Sequence, residues 1–372
     1  MRTQQATWSR ESGWRELPES SNPPDLVLVF GGRAELERSE LLAPLCNRVP
    51  RDRIHGCSTG GEIEGAHVHD DTIVATCLWF DGTKVSATFA PLDGGGDDVL
   101  GQRLAKSLEP RELVHVLVLS DGLKVNGSAL VRGLREGLPS NVSISGGLSG
   151  DGAAMKDTVV CYGGEIRRGG VSVIAFHGKV KVGIGSVGGW DQFGPSRTIT
   201  RSEGTVLKEL DGEPALALYK RYLGEHAAGL PGSALLFPLL VTPRPGETPV
   251  VRTVLSVDEA TGSMTFAGDM PQGATAQLMR ANFERIIEAG EGAATISLPG
   301  PQPEFALLIS CVGRKWILKQ RVEDEVDAVR HVLGDSTITT GFYSYGELAP
   351  TMSGAPCQLH NQTMTVTTFS ER

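Results

Sequence analysis

One unit recurs three times along this chain: an apolar run, a helical segment, a short strand, and a turn that sets a serine among glycines with a carboxylate close behind. The turns are Gly56-Cys57-Ser58-Thr59-Gly60-Gly61-Glu62-Ile63, Gly146-Gly147-Leu148-Ser149-Gly150-Asp151 and Gly341-Phe342-Tyr343-Ser344-Tyr345-Gly346-Glu347-Leu348. Each serine follows its apolar run at a similar distance: 28 residues from Phe30 to Ser58, 30 from Leu119 to Ser149, 35 from Ile309 to Ser344. A strand–helix–strand segment takes about 30 residues or more, so each interval holds one. Continuous apolar runs such as Leu26–Phe30 mark strands buried on both faces. The expected fold is α/β, with mixed sheets built from repeated strand-helix-strand units and antiparallel hairpins. Turns at strand ends then line a cleft shared by two halves.

Residues 1–24, ending in Ser20-Ser21-Asn22-Pro23-Pro24, read as a lead-in. Thr72–Phe80 and Lys84–Ala90 flank Asp81-Gly82, a short hairpin signal. Thr158–Tyr162, Val171–His177 and Val180–Val187 read as a meander. Helices are expected over Val99–Leu108 and over the stripes Leu130, Val131, Leu134, Leu138 and Val322, Val326, Val329, Leu333. Composition shifts after Gly188, where Gly194-Pro195-Ser196 starts an irregular connection. A boundary near residue 195 separates domains 25–195 and 196–372. In the second, Glu213-Pro214 opens a helix, and Leu278, Met279, Phe283, Ile286 and Ile287 mark another helix face.

The charge balance narrows the function classes. A net charge of -9 opposes a phosphate backbone, so no nucleic-acid partner is expected. No apolar run approaches the roughly 20 residues of a membrane span, and the polar N-terminus with Trp8 and Trp14 is no secretory signal. Cys46, Cys57, Cys77, Cys161, Cys311 and Cys357 are scattered without a CxxC pair, as suits reduced thiols in a cytoplasmic protein.

Three motifs promise more chemistry than their context supports. Gly56-Cys57-Ser58-Thr59-Gly60 spells the nucleophile elbow of α/β-hydrolases, with Ser58 or Cys57 as nucleophile, but no helical spacing follows it. Gly183, Gly185 and Gly188 spell a dinucleotide fingerprint inside a strand pattern, with no helix after it. His67 and His69 with Asp70 and Asp71 sit in an expected polar loop and lack further ligands at metal spacing.

The first two turns resemble the N-terminal part of the FIST domain (F-box and intracellular signal transduction). Gly341–Leu348 together with Leu359-His360-Asn361-Gln362-Thr363 is similar to its C-terminal part. The resemblance runs from about residue 25 to the end, with 25–195 as the N-terminal and 196–372 as the C-terminal FIST domain. It implies a sensory domain for a small ligand such as an amino acid. Some bacterial members are similar to haem-binding nitric-oxide sensors, which makes His177 and His360 the residues to watch for an axial ligand. No kinase, cyclase or F-box segment is recognised, so output is expected through a separate signalling protein. The residues expected to hold the ligand are Ser58, Glu62, Ser149, Asp151, Tyr343, Ser344, Glu347, His360 and Asn361. Carboxylates among hydroxyls suit an ammonium group, and glycine-turn amides suit a carboxylate.

Overall fold

In the computed structural model, which describes residues 1–298, 300, 302–351 and 354–372, the three apolar runs are the strands Leu26–Gly31, Leu113–Ser120 and Phe305–Cys311. All three are buried along almost their whole length. Each is followed by helix and then by a parallel neighbour: Ile54–Ser58, Ser143–Leu148 and Ile338–Ser344. On its other side each pairs antiparallel with a later strand of its own unit: Ile73–Trp79, Gly170–Gly178 and Met364–Ser370. Gly56, Gly146 and Gly341 occupy the same place in the parallel neighbours. A Cβ there would lie 1.7, 2.1 and 1.8 Å from the carbonyl oxygens of Val29, Val118 and Leu308, so only glycine lets these strands close up.

The units are interlocked by exchange. After its parallel pair each unit sends a hairpin to a neighbouring sheet. Glu62–Glu64 with His67–His69 goes to Ile338–Ser344, Val160–Tyr162 with Glu165–Arg167 to Ile54–Ser58, and Gly346–Pro350 with Cys357–His360 to Ser143–Leu148. Each third strand is also covered by a strand from elsewhere. Thr83–Pro91 covers Gly170–Gly178, Lys181–Val187 covers Met364–Ser370, and Arg2–Ser9 covers Ile73–Trp79. The arrangement is a pseudo-threefold ring, and the expected lead-in contributes the strand that closes it.

This exchange overturns two local expectations. The strands on either side of Asp81-Gly82 do not pair as a hairpin; they lie in different sheets. The expected meander likewise spreads its three strands over three sheets. A two-residue turn closes a hairpin only if the flanking strands have no better partner. Here both are taken up by strands that bury their apolar faces. The histidines expected in a loop belong to the strand His67–His69, where they face Glu323 and Glu64.

Between Lys181–Val187 and the helix Phe283–Ile296 the third unit carries a largely β insertion. Its curled sheet of Asp191–Glu203, Val206–Leu210, Leu239–Thr242, Val250–Arg252, Val254–Asp258, Ser263–Phe266 and Thr275–Arg280 packs with the helix Ala215–Leu223 around a core of its own, including Ile199, Leu207, Leu216 and Phe266. The irregular connection expected at Gly194–Ser196 is a register break within one long strand. Leu278 and Met279 are strand residues, not part of a helix face. The helix starts later because the Asn282 side chain caps it by accepting from the Arg285 amide.

Candidate functional site

The three turns meet at the pseudo-threefold axis in a ring of backbone hydrogen bonds. Gly60 N donates to Tyr343 O (2.7 Å), Gly150 N to Ser58 O (2.9 Å) and Tyr345 N to Leu148 O (3.1 Å). Ser58, Leu148 and Tyr343 are therefore equivalent, and so are the hydroxyl residues Thr59, Ser149 and Ser344 that follow them.

Two of the turns hold a buried carboxylate in the same way. Ser344 Oγ donates to Glu347 Oε1 (2.7 Å), while Thr363 N (3.2 Å) and Oγ1 (3.0 Å) donate to Oε2. Thr59 Oγ1 donates to Glu62 Oε1, while Thr72 N (3.1 Å) and Oγ1 (2.7 Å) donate to Oε2. The third equivalent place is taken by Val160, paired with Cys57, and there Ser149 Oγ donates to Ser120 O (2.7 Å) instead. Burial disfavours the charged forms and outweighs the hydrogen bonds, pushing Glu62 up to about 7 and Glu347 up to about 8.

The other expected residues fall around this ring. Tyr343 Oη donates to Glu325 Oε1 (2.7 Å), and Glu325 pairs with Arg314 at 2.8 Å, neither being exposed. Arg314 also donates to Gly188 O, Ile286 O and, at 3.4 Å, Gln362 O. Asp151 is half-buried and accepts from Tyr345 Oη. His360 is buried, donates Nε2–H to Ala349 O (3.0 Å), and is held down to about 4 by that burial. Ser58 is fully buried, and its Oγ accepts from Val159 N (3.0 Å). Burial also pushes the Cys57 thiol up, away from a reactive thiolate. The turn then runs into the strand Glu62–Glu64, so the helix that a nucleophile elbow requires is replaced by strand.

The two histidines singled out for an axial ligand already have protein partners. His177 is engaged at both ring nitrogens, by Ser86 Oγ and Arg111 O, and His360 at Nε2. Neither lines the large cleft described next.

Beside the third turn, the core and the insertion enclose a cleft of about 520 Å³. That lies within the range of roughly 300–1,000 Å³ typical of small-molecule sites. The core supplies Leu148, Val312, Gly313, Trp316, Tyr345 and the loop from Gly122 to Gly127; the insertion supplies Thr253, Val254, Leu255 and Phe266. Asp97 and Lys124 bring opposite charges to it. Of the expected residues Asn361 lines this cleft, and its Oδ1 accepts from Thr253 N (3.4 Å) across to the insertion. Tyr343, Ser344, Glu347 and His360 lie in the core behind it, while Ser58, Glu62 and Ser149 belong to the other turns.

Sequence reasoning passed over Gln362, Thr253 and Trp316. Gln362 is fully buried, lines the cleft, and has no partner for either Nε2 or Oε1; Thr253 Oγ1 is likewise buried and unpartnered. The one signal was adjacency, because Gln362 follows Asn361 in a stretch already singled out.

Residues 25–213 match the FIST N domain and residues 215–350 the FIST C domain. The chain belongs to the FIST family, whose domains are sensory domains of signal transduction. It is also 24% identical over 223 residues to a protein of Methanocaldococcus jannaschii described as "Uncharacterized protein MJ1623". That match takes in 57% of this chain and 43% of the archaeal protein, so the chain spans less than half of its relative. No helix among the described residues is long and apolar enough to cross a membrane.

Proposed function

We propose that the protein is a sensory module that takes a small, amino-acid-like ligand into the cleft between core and insertion. The observation that carries this is the cleft itself: a mostly apolar enclosure against Trp316 and Phe266, with Asp97, whose Oδ2 accepts from Asn126 N (2.8 Å), to face an ammonium and Lys124, paired at 3.3 Å with the half-buried Asp157, to turn from that pair to a carboxylate. Asn361 joins the core wall to the insertion through Thr253 N, and the Ser344–Glu347–Thr363 lock holds the strand ends that carry it. Ligand bridging the two walls changes how the insertion sits on the core, and a separate signalling protein reads that change. A cytoplasmic setting fits the six free cysteines, five of them buried.

The test is a thermal-shift screen with an amino-acid panel. A ligand at 100 times its Kd stabilises the protein by about 2.7 kcal/mol through mass action. Trp316→Ala and Lys124→Ala should lose the shift while folding normally. A shift that survives both substitutions would move the ligand out of this cleft.

A further inference from the structure

We infer that the mouth of the cleft, through Leu123, Met155 and Leu255, selects an amino-acid-like ligand that carries a large apolar side chain. This rests on the cleft being the ligand site and names the class of ligand it takes.

Of the seven large apolar side chains exposed among the described residues, these three line the same cleft. They stay 37%, 40% and 43% exposed there, so they form its mouth and are open to whatever enters. Leu123 and Met155 belong to the core and Leu255 to the insertion. Exposed apolar side chains scattered singly need no cause, but three from distant parts of the chain around one cleft do.

Each of the three is set in place by an irregular piece of backbone. In the first and third units the helix begins within two residues of the strand end, at Arg33 after Gly31 and at Val312 after Cys311. In the second unit the connection 121–126 intervenes between Ser120 and the helix Gly127–Gly137. The fully buried Asp121 holds that connection. Its Oδ1 accepts from Leu123 N (2.9 Å) and Lys124 N (2.8 Å), and its Oδ2 from Gly169 N (3.2 Å). Asp151 holds the other core loop, its Oδ2 accepting from Lys156 N (2.9 Å) and Asp157 N (3.0 Å). Met155, just before them, adopts a left-handed backbone at φ 48°. That conformation strains a methionine where glycine would fit freely, so the turn alone does not account for the side chain. Leu255 is the extra residue of a β-bulge: Val254 pairs with Phe266 and Ser256 with Thr265, leaving it unpaired between them. A bulge of this kind re-aims a side chain.

The charges complete the selection. In the free protein the Lys124–Asp157 pair ties the loop of Leu123 to that of Met155. Among the described residues Asp97 and Lys124 are the only charged ones that line the cleft. With these two given to the ammonium and carboxylate, a charged side chain finds no partner left. An apolar one covers the exposed surface of the three mouth residues and takes it out of water.

The test is isothermal titration calorimetry with near-isosteric pairs, leucine against asparagine and methionine against glutamine. Leucine and methionine should bind at least about tenfold more tightly than their polar counterparts, because a polar side chain gives up water without gaining partners. Met155→Gly relieves the left-handed backbone, so the free protein should keep or raise its melting temperature while leucine binds at least about threefold more weakly. Leu255→Ser, at an exposed position of the insertion, supplies the same comparison from the other wall. Equal affinities within the pairs, or leucine affinity unchanged in either variant, would overturn the apolar mouth. The cleft would still stand as the ligand site if Trp316→Ala abolished amino-acid binding. No binding of any amino acid would overturn both.

Discussion

At the first turn Glu62 accepts hydrogen bonds from Thr59 and Thr72, and at the third Glu347 accepts the same set from Ser344 and Thr363. One residue upstream of the hydroxyls the two turns part. Ser58 only accepts from a neighbouring amide, whereas Tyr343 reaches Glu325 and through it Arg314. Arg314 in turn holds the backbone where the insertion begins, at Gly188, and the carbonyl of Gln362. The contrast teaches how a repeated scaffold acquires a site. Repetition supplies the lock, and a single copy is then wired to the insertion and to the residue that faces the cleft.

The largest expected effect tests that wiring. Arg314→Met leaves Glu325 buried without its cation and should cost about 3–5 kcal/mol in chemical denaturation. Ser58→Ala, at the equivalent of Tyr343, removes one hydrogen bond and should cost about 1 kcal/mol. Comparable losses from the two substitutions would erase the asymmetry between the turns.

The two carboxylates should then separate by pH. Below the ordinary value of 4.5 both are protonated, folded or unfolded. As pH rises the unfolded chain ionises first, because burial holds Glu62 near 7 and Glu347 near 8 in the folded protein. For these two groups the unfolded state binds fewer protons, so their contribution to stability falls with pH by an amount on the order of a few kcal/mol. Buried His55, His115 and His360, held down to about 4, 3 and 4, act in the opposite direction below about pH 6.5, so the net fall shows above that pH. Glu62→Gln should leave a falling slope between pH 7 and 8, and Glu347→Gln should flatten that last interval. Melting curves across pH 4.5–8.5 decide it, and a slope between pH 7 and 8 unchanged in Glu347→Gln would count against the assignment.

Much of the scaffold was legible in the sequence because its cause is local and repeated. Buried strands leave apolar runs such as Leu26–Phe30 and Phe305–Cys311, and the close approach at the strand crossings leaves Gly56, Gly146 and Gly341. The exchange between units was not legible. Asp81-Gly82 states that the chain turns, but not which sheet the next strand joins; that is decided by distant partners such as Gly170–Gly178. The carboxylates Glu62 and Glu347 stood out because an acid after a serine-glycine turn is conspicuous, yet only the fold shows that both are buried and that the second lies behind a cleft. Gln362 was hidden for a different reason. A left-handed backbone is invisible in a glutamine, and the absence of a partner is a property of the assembled core.

The smallest expected effect is the sharpest test of what the two locks are for. Thr72 and Thr363 each give one hydroxyl hydrogen bond to a buried carboxylate that keeps its backbone amide donor. Thr72→Val and Thr363→Val are near-isosteric, so each should cost only about 1 kcal/mol, and the two costs should agree closely. Ligand response should not agree. Thr363 follows Gln362 directly and shares with it the turn that faces the cleft, so freeing Glu347 there loosens the wall that a ligand touches. Thr72 has Asp71 in that place, an exposed residue away from the cleft. With a binding amino acid identified, Thr363→Val should weaken its thermal shift while Thr72→Val leaves it as in wild type. Equal responses from the two variants, at equal stability, would mean that both locks serve only the fold and that the third turn owes its role to Arg314 alone.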